Sequence, residues 1–361
     1  MKTNSKLIVT AIVIAYAVVG FIASSIVWAM PGHEPLPMSE DTAPLSDEPV
    51  LNVQADETKA PETTTVPEVT EPNIIAEPVP ILNKDDTFEP DVVTVNNSDF
   101  RVSEARLAEM QEIFDDYRFK TSFYIIDLES GASIGYNADK VHSAASTVKA
   151  GFAMYCFKQI AAGNAKYNDT MKYEEKHFIK GSGSTQDSVF GTVFTIKALL
   201  YRQLYNSDNV AHLMLVDFFG YDGYNQMMND LGVEHTIGRA SKYGDFTPQE
   251  LGLIWQEIYN FKDTCEEGKL FWEYLTSNLY NEIDVALDEK YPETAHKSGW
   301  NSKGYHEAGI VMAERPYVVV VMTETGNRNN CLHRTIEFCD NLMMDFTDFT
   351  KGIVPAGESA V

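Results

Sequence analysis

The chain has 361 residues, with 28 basic and 53 acidic side chains and a formal net charge of −25. Nucleic-acid binding draws most of its energy from Lys and Arg neutralising phosphates, so this balance, with no basic cluster, excludes nucleic acid as a partner. The acid is unevenly spread. Residues 31–100 hold 16 acidic residues, 2 basic ones and 11 of the 15 prolines. That leaves about 260 residues at the C-terminal end, enough for one large domain or two closely joined lobes.

Residues 7–30 form a run of 24 residues without a charge. As a helix rising 1.5 Å per residue they would span roughly 36 Å, more than the ~30 Å hydrocarbon core of a bilayer. Lys2 and Lys6 precede the run and acidic sequence follows it. The positive-inside rule then predicts a single-pass anchor in the cell membrane, residues 1–30, with a cytoplasmic N-terminus and everything after it outside. Trp28 stands where an interfacial aromatic would. A cleaved signal peptide is the competing reading, but its apolar region is usually only about 7–15 residues. The first cysteine is Cys156, so no lipid-bearing cysteine accompanies the segment. Residues 31–97 carry too little apolar surface to offset the entropy of ordering, and read as a disordered, acidic, Pro-rich linker. Fully extended it would reach ~200 Å, and as a coil ~45 Å.

The folded part is expected over residues 98–353, with 354–361 as a tail. Ser103 can cap a helix carrying Leu107, Met110, Ile113 and Phe114 on one face. Residues 121–128 read as a strand, which Ser130-Gly131 turns into a return strand at 132–136. A mostly apolar helix follows over 147–162, with Gly163 at its end. Helical stretches at 194–204 and 210–218 are interrupted at Ser207-Asp208-Asn209, and two more are expected at 251–261 and 270–279. Strands return at 295–300, 308–312 and 317–323. The last, with its Val318–Val321 run, reads as central. A helix over 333–346 closes the domain. Strands at both ends with helices between imply an α+β fold, an antiparallel sheet with an inserted helical lobe. Cys156 reads as a buried thiol. A Cys331–Cys339 bridge is possible only if the segment between is not helical throughout, because eight helical residues separate the Cα atoms by about 12 Å.

Three short motifs carry the chemistry. Ser146-Thr147-Val148-Lys149 is an S-x-x-K where a loop enters an apolar helix. There the serine sits at the positive end of the helix dipole, and Lys149 lies on the same face one turn deeper. An amine so placed takes the hydroxyl proton if burial or a neighbouring cation lowers its pKa. Ser207-Asp208-Asn209 needs nothing beyond helix capping to explain it, but it also offers a hydroxyl to relay a proton and an amide to hold a carbonyl. Lys297-Ser298-Gly299 lies on an apolar-flanked strand, where a cation needs a reason. Gly299 would let a substrate lie close, and Lys297 and Ser298 can bind a carboxylate.

S-x-x-K, S-D-N and K-[ST]-G in this order resemble the signature of class A β-lactamases and penicillin-binding proteins. The first two motifs are 61 residues apart, similar to the class A spacing. Gly183 before the second motif, Thr247-Pro248 after it and the 306–311 run after the third extend the resemblance over about residues 98–350. The resemblance implies a five-stranded antiparallel sheet flanked by helices, with an all-helical lobe and the site between. It implies Ser146 as the acylated nucleophile and Lys149 as its base or hydrogen-bond partner. Ser207 would be the proton shuttle, Asn209 the orienting amide and Asp208 a more structural residue. Lys297 and Ser298 would recognise a carboxylate. The backbone N–H groups of Ser146 and Trp300 would form an oxyanion hole beside Gly299, worth ~3–4 kcal/mol per donor. No cofactor and no metal are implied; His306-Glu307 lacks the second histidine of a zinc helix.

The chain departs from that pattern in two places. Relatives carry a small residue at the position of Trp300, whose side chain is expected to narrow or reshape the cleft. The segment 232–248 is about a dozen residues shorter than in class A β-lactamases and lacks E-x-x-L-N, whose glutamate activates the deacylating water. Glu234 comes too early, and Asp245 reads as a structural loop residue. The expected activity is therefore β-lactamase-type hydrolysis with weak turnover on a β-lactam. A D-alanyl-D-alanine peptidase acting on cell-wall peptides is the alternative, and a non-catalytic wall-binding module the second. The protonation of Lys149 stays open, since Lys297 lowers its pKa and the acidic domain raises it.

Overall fold

A computed structural model describes residues 104–117, 120–239, 241–326 and 328–353. The predicted anchor at 1–30, linker at 31–97 and tail at 354–361 lie outside them. Among the described residues no helix is long and apolar enough to cross a membrane.

The elements run α1 (Glu104–Tyr117), β1 (Thr121–Asp127), β2 (Ser133–Tyr136), β3 (His142–Ser143), α2 (Val148–Ala161), β4 (Thr170–Lys172), β5 (Val193–Thr195), α3 (Ile196–Tyr205), α4 (Asn209–Phe219), α5 (Asp222–Asp230), β6 (Asp245–Phe246), α6 (Pro248–Phe261), α7 (Glu266–Thr276), α8 (Glu282–Ala286), β7 (Thr294–Trp300), β8 (Tyr305–Val311), β9 (Tyr317–Thr323) and α9 (His333–Thr350). Five strands form one antiparallel sheet in the order β2-β1-β9-β8-β7. The Val-rich β9 is central, as its composition predicts. Residues from both ends of the domain thus close one sheet around an inserted helical lobe.

Period-two alternation gives the sheet two cores. Tyr124, Ile126, Val318, Val320, Ala308 and Ala295 face the lobe with α2, α3, α4, α6 and α7. Phe123, Ile125, Val319, Val321 and Val311 face α1, α8 and α9. The same alternation splits β7. Ala295, Lys297 and Gly299 point to the lobe, while His296, Ser298 and Trp300 point the other way.

The sequence pattern missed one helix and misplaced the start of another. Helix α5 is poor in helix formers, with Gly223, Asn225, Asn229 and Asp230. It forms because Tyr224 and Met228, four residues apart, are fully buried. Helix α7 starts at Glu266 rather than 270, since the Cys265 sulfur accepts from the Gly268 N–H. All four cysteines are free. Cys331 and Cys339 lie in the continuous helical run from Arg328–Leu332 into α9, the geometry that forbids a bridge.

The short 232–248 loop is tied down by Glu250 on α6. Oε1 accepts from the Glu234 and His235 N–H groups, both at 2.9 Å, and Oε2 from the Thr247 N–H at 2.9 Å. Burial pushes this carboxyl up, but the hydrogen bonds from Thr247 and His235 win and hold it below its ordinary value. Its stabilising contribution is therefore complete above the usual carboxylate range and is lost as pH falls through the folded-state value. Glu250→Ala is expected to cost about 2–4 kcal/mol by leaving three backbone donors without their acceptor. Urea unfolding should show a lower midpoint at unchanged slope.

Candidate active site

Ser146 lies in a short 3-10 turn, Ala145–Thr147, that runs directly into α2. Ala145 has φ +49° and Ser207 has φ +55°. Both are left-handed positions in residues that carry a Cβ, and such strain persists only where surrounding structure enforces it. One residue precedes the nucleophile candidate and the other is the first member of the second motif.

Lys149 is 0% exposed although it is a lysine. Its Nζ donates to the Ser207 carbonyl at 2.5 Å and to Asn209 Oδ1 at 2.7 Å, with Ser207 Oγ at 3.3 Å. Burial, then the Lys297 cation, push its pKa well below the ordinary lysine value, against Asp208, which raises it. The sequence left that competition open; desolvation decides it. An uncharged amine has two N–H groups and one lone pair. In that form the two short contacts would use the hydrogens, and the lone pair would be available to take a hydroxyl proton.

Asp208 is structural, as expected. Oδ1 accepts from Ala211 N–H at 2.9 Å and caps α4, and Oδ2 accepts from Thr185 N–H at 2.9 Å. Gly183 has φ +92°, and a Cβ there would stand 2.2 Å from the Asp208 carboxyl carbon. Only glycine lets the 181–185 loop close over the second motif.

The third motif approaches from the edge of the sheet. Strand β7 pairs only with β8, so its free side meets the Ser146 turn. A Cβ on Gly299 would lie 2.8 Å from the Ala144 carbonyl and the Thr147 N–H nitrogen, and 2.9 Å from the Ser146 nitrogen. Lys297 is fully buried on the same face, with Nζ donating to the Ser298 carbonyl at 2.9 Å. Burial lowers its pKa to about 8, and an ionised Glu307 is the charge that would act in the opposite direction.

Ser298 does not join this group. Its side chain is on the opposite face of β7, fully buried, with Oγ 2.8 Å from the Tyr280 carbonyl and 2.5 Å from Glu307 Oε2. Trp300 is corrected in the same way. Rather than narrowing the cleft beside Lys297, its ring stacks on Tyr305 at 5.4 Å and 7°, with Tyr280 edge-on at 5.0 Å. In both cases the alternation of a strand outweighs the adjacency of residues in a motif.

One residue at the site carried no sequence signal. Tyr243, in the short loop, brings its ring centroid to 5.6 Å from Lys149 Nζ and 5.2 Å from the His212 ring. Its hydroxyl is buried with no hydrogen-bond partner. His212 is pushed down to about 3 by burial and then by Lys149. Lys149 thus has an aromatic face on the side of the short loop. Asp245 is exposed and pairs across β3 with Ser143, and Glu234 is exposed too.

The family model for the beta-lactamase enzyme family matches residues 106–338. The chain belongs to the beta-lactamase enzyme family. It is a serine hydrolase of that family, with the β-lactamase/transpeptidase-like fold. Beta-lactamase ROB-1 of Haemophilus influenzae is 32% identical over 238 residues, covering 60% of this chain and 77% of that protein. Among solved structures, a beta-lactamase from Burkholderia vietnamiensis superposes with a TM-score of 0.60 at 19% identity, over 68% of this chain and 98% of that one. PBP-A superposes with a TM-score of 0.58 at 21% identity, over 68% and 96%. A further PBP-A structure is an acyl-enzyme complex with penicillin G.

Two outcomes are expected of this beta-lactamase-family site. Gly299→Ala should lower the rate of Ser146 acylation by about tenfold or more, because the new methyl displaces backbone rather than a flexible side chain. The acylation rate with a carboxylate-bearing reagent should fall about tenfold per pH unit as pH rises beyond about 8 and Lys297 loses its proton. A pH–rate profile in stopped flow measures this, and a rate still flat at about pH 10 would exclude a cationic role for Lys297.

Proposed function

We propose that residues 98–353 act as an extracytoplasmic active-site serine hydrolase, acylated at Ser146 by a β-lactam or a related amide. Residues 1–30 would anchor the domain in the cell membrane, 31–97 would tether it at a distance, and 354–361 would form a tail. The observation that carries the reading is the buried Lys149 gripped by Ser207 and Asn209, with Gly299 pressed against the Ser146 backbone.

The Ser146 hydroxyl gives its proton to the Lys149 lone pair while Oγ attacks the amide carbonyl. The C–N bond breaks and the leaving nitrogen takes a proton relayed through Ser207. Water then splits the ester and restores Ser146. Lys297 supplies the positive charge for a substrate carboxylate without help from Ser298, whose hydroxyl is engaged on the other face. The names of the ROB-1 relative and of the PBP-A acyl-enzyme complex support a β-lactam as the acylating group.

A second reading rests on Tyr243. The short loop presents an aromatic face to Lys149, and the charged neighbours that act on this amine are Lys297 and Asp208. Activation of a deacylating water is then weak, turnover is slow, and the domain behaves as a penicillin-binding D-alanyl-D-alanine peptidase on cell-wall peptides. Purified residues 98–361 with a chromogenic β-lactam separate the two. Many turnovers support the lactamase, while a persistent mass adduct on Ser146 supports the peptidase. Labelling by a fluorescent penicillin should vanish in Ser146→Ala; labelling that survives would leave only a binding module.

A further inference from the structure

Behind the strand that carries Lys297 lies a buried polar cluster the reaction does not use. Glu307 on β8 sits directly across from Ser298 and is 1% exposed. Ser298 Oγ has two oxygen neighbours, the Tyr280 carbonyl at 2.8 Å and Glu307 Oε2 at 2.5 Å. A hydroxyl has one proton, and a carbonyl has none to give. If Ser298 donates to Tyr280, the proton in the second contact must come from Glu307. The other carboxyl oxygen points the same way. Glu307 Oε1 is buried without a hydrogen-bond partner, as are both ring nitrogens of His296, whose Nδ1 stands 3.2 Å away off the bonding line. An ionised carboxylate would leave that oxygen charged and undonated in the interior, far costlier than a neutral carbonyl oxygen.

We propose that Glu307 is protonated in the resting enzyme and acts as a positioning residue. It donates to Ser298, fixes the Ser298 hydroxyl on the Tyr280 carbonyl, and so pins β7, with Lys297 and Gly299, against the turn before α8. This rests on the serine-hydrolase reading for its catalytic consequence and not for the protonation itself.

Among the groups facing Glu307 the polar ones favour the carboxylate, and burial favours the neutral acid. From β7 come His296, Ser298 and, through the strand, Lys297; from β9 the opposite residue is the apolar Val321. On the α8 and α9 side, Glu282 is engaged by Tyr305 and His333. Burial raises the Glu307 pKa, against His296, Ser298 and Lys297. A protonated Glu307 lends Lys297 no charge. Replacing it with another neutral donor should therefore leave the titration of Lys297 where it was.

Infrared difference spectroscopy of the intact domain at neutral pH, wild type against Glu307→Gln, should show the carbonyl band of a protonated carboxyl only in the wild type. Glutamine keeps a donor for Ser298, so its acylation rate should stay within about threefold of wild type with the alkaline limb of the pH profile unmoved. Glu307→Leu, which has no donor, should lose about tenfold or more in acylation while still showing a cooperative melt. Absence of the band in the wild type, or an alkaline limb shifted down in Glu307→Gln, would overturn the proposal. The band is read without substrate, so a failure of acylation chemistry would not be mistaken for a failure of this assignment.

Discussion

The site is organised around an amine that water cannot reach. A lysine with no exposed surface is tolerated only if its polar atoms are matched and its charge is suppressed. At Lys149 the Ser207 carbonyl and the Asn209 amide oxygen match the amine's hydrogens, while burial and the Lys297 cation lower its affinity for a proton. That pair of contacts forces Ser207 into a left-handed backbone conformation and stations the start of α4 over α2. The capping of α4 by Asp208 and the glycines of the 181–185 loop are consequences of the same closure.

The sheet supplies the opposing wall, and the edge position of β7 makes this possible. An interior strand would have both sides filled by hydrogen-bonded neighbours. With β8 on one side only, the other side of β7 is open to the Ser146 turn, and the missing side chain of Gly299 lets two backbones touch. Two lysines thereby share one desolvated region. Burial lowers the affinity of both for a proton, and the Lys297 cation lowers that of Lys149 further, which suits Lys149 to accept a proton and leaves Lys297 to hold a charge near neutral pH. The opposite face of β7 is a separate environment, where Ser298, His296 and Glu307 are sealed between the sheet and the α8–α9 layer.

Shortening the 232–248 loop has a chemical consequence beyond the loss of a carboxylate. A loop without slack is drawn in by Glu250, and Tyr243 fills the space beside Lys149 and His212. An aromatic face stabilises a cation but cannot abstract a proton from water. Under the proposed mechanism, formation and hydrolysis of an acyl-enzyme would depend on different neighbours of Lys149.

The three motifs, the order of the main-sheet strands and of most of the long helices, the α+β class and the central place of β9 were legible in the amino-acid sequence, because hydrophobic period and turn chemistry are local. So was the family, since the spacing of Ser146, Lys149, Ser207, Asn209 and Lys297 is a property of the chain alone. Glu307 was read only beside His306, as an incomplete zinc motif. The direction of the Ser298 and Trp300 side chains, the strain at Ala145 and Ser207, and the approach of Tyr243 left no trace that was read. These were decided by the tertiary structure, because which face of an edge strand meets the lobe and which loop reaches a buried amine depend on contacts between residues about 40 to 150 positions apart.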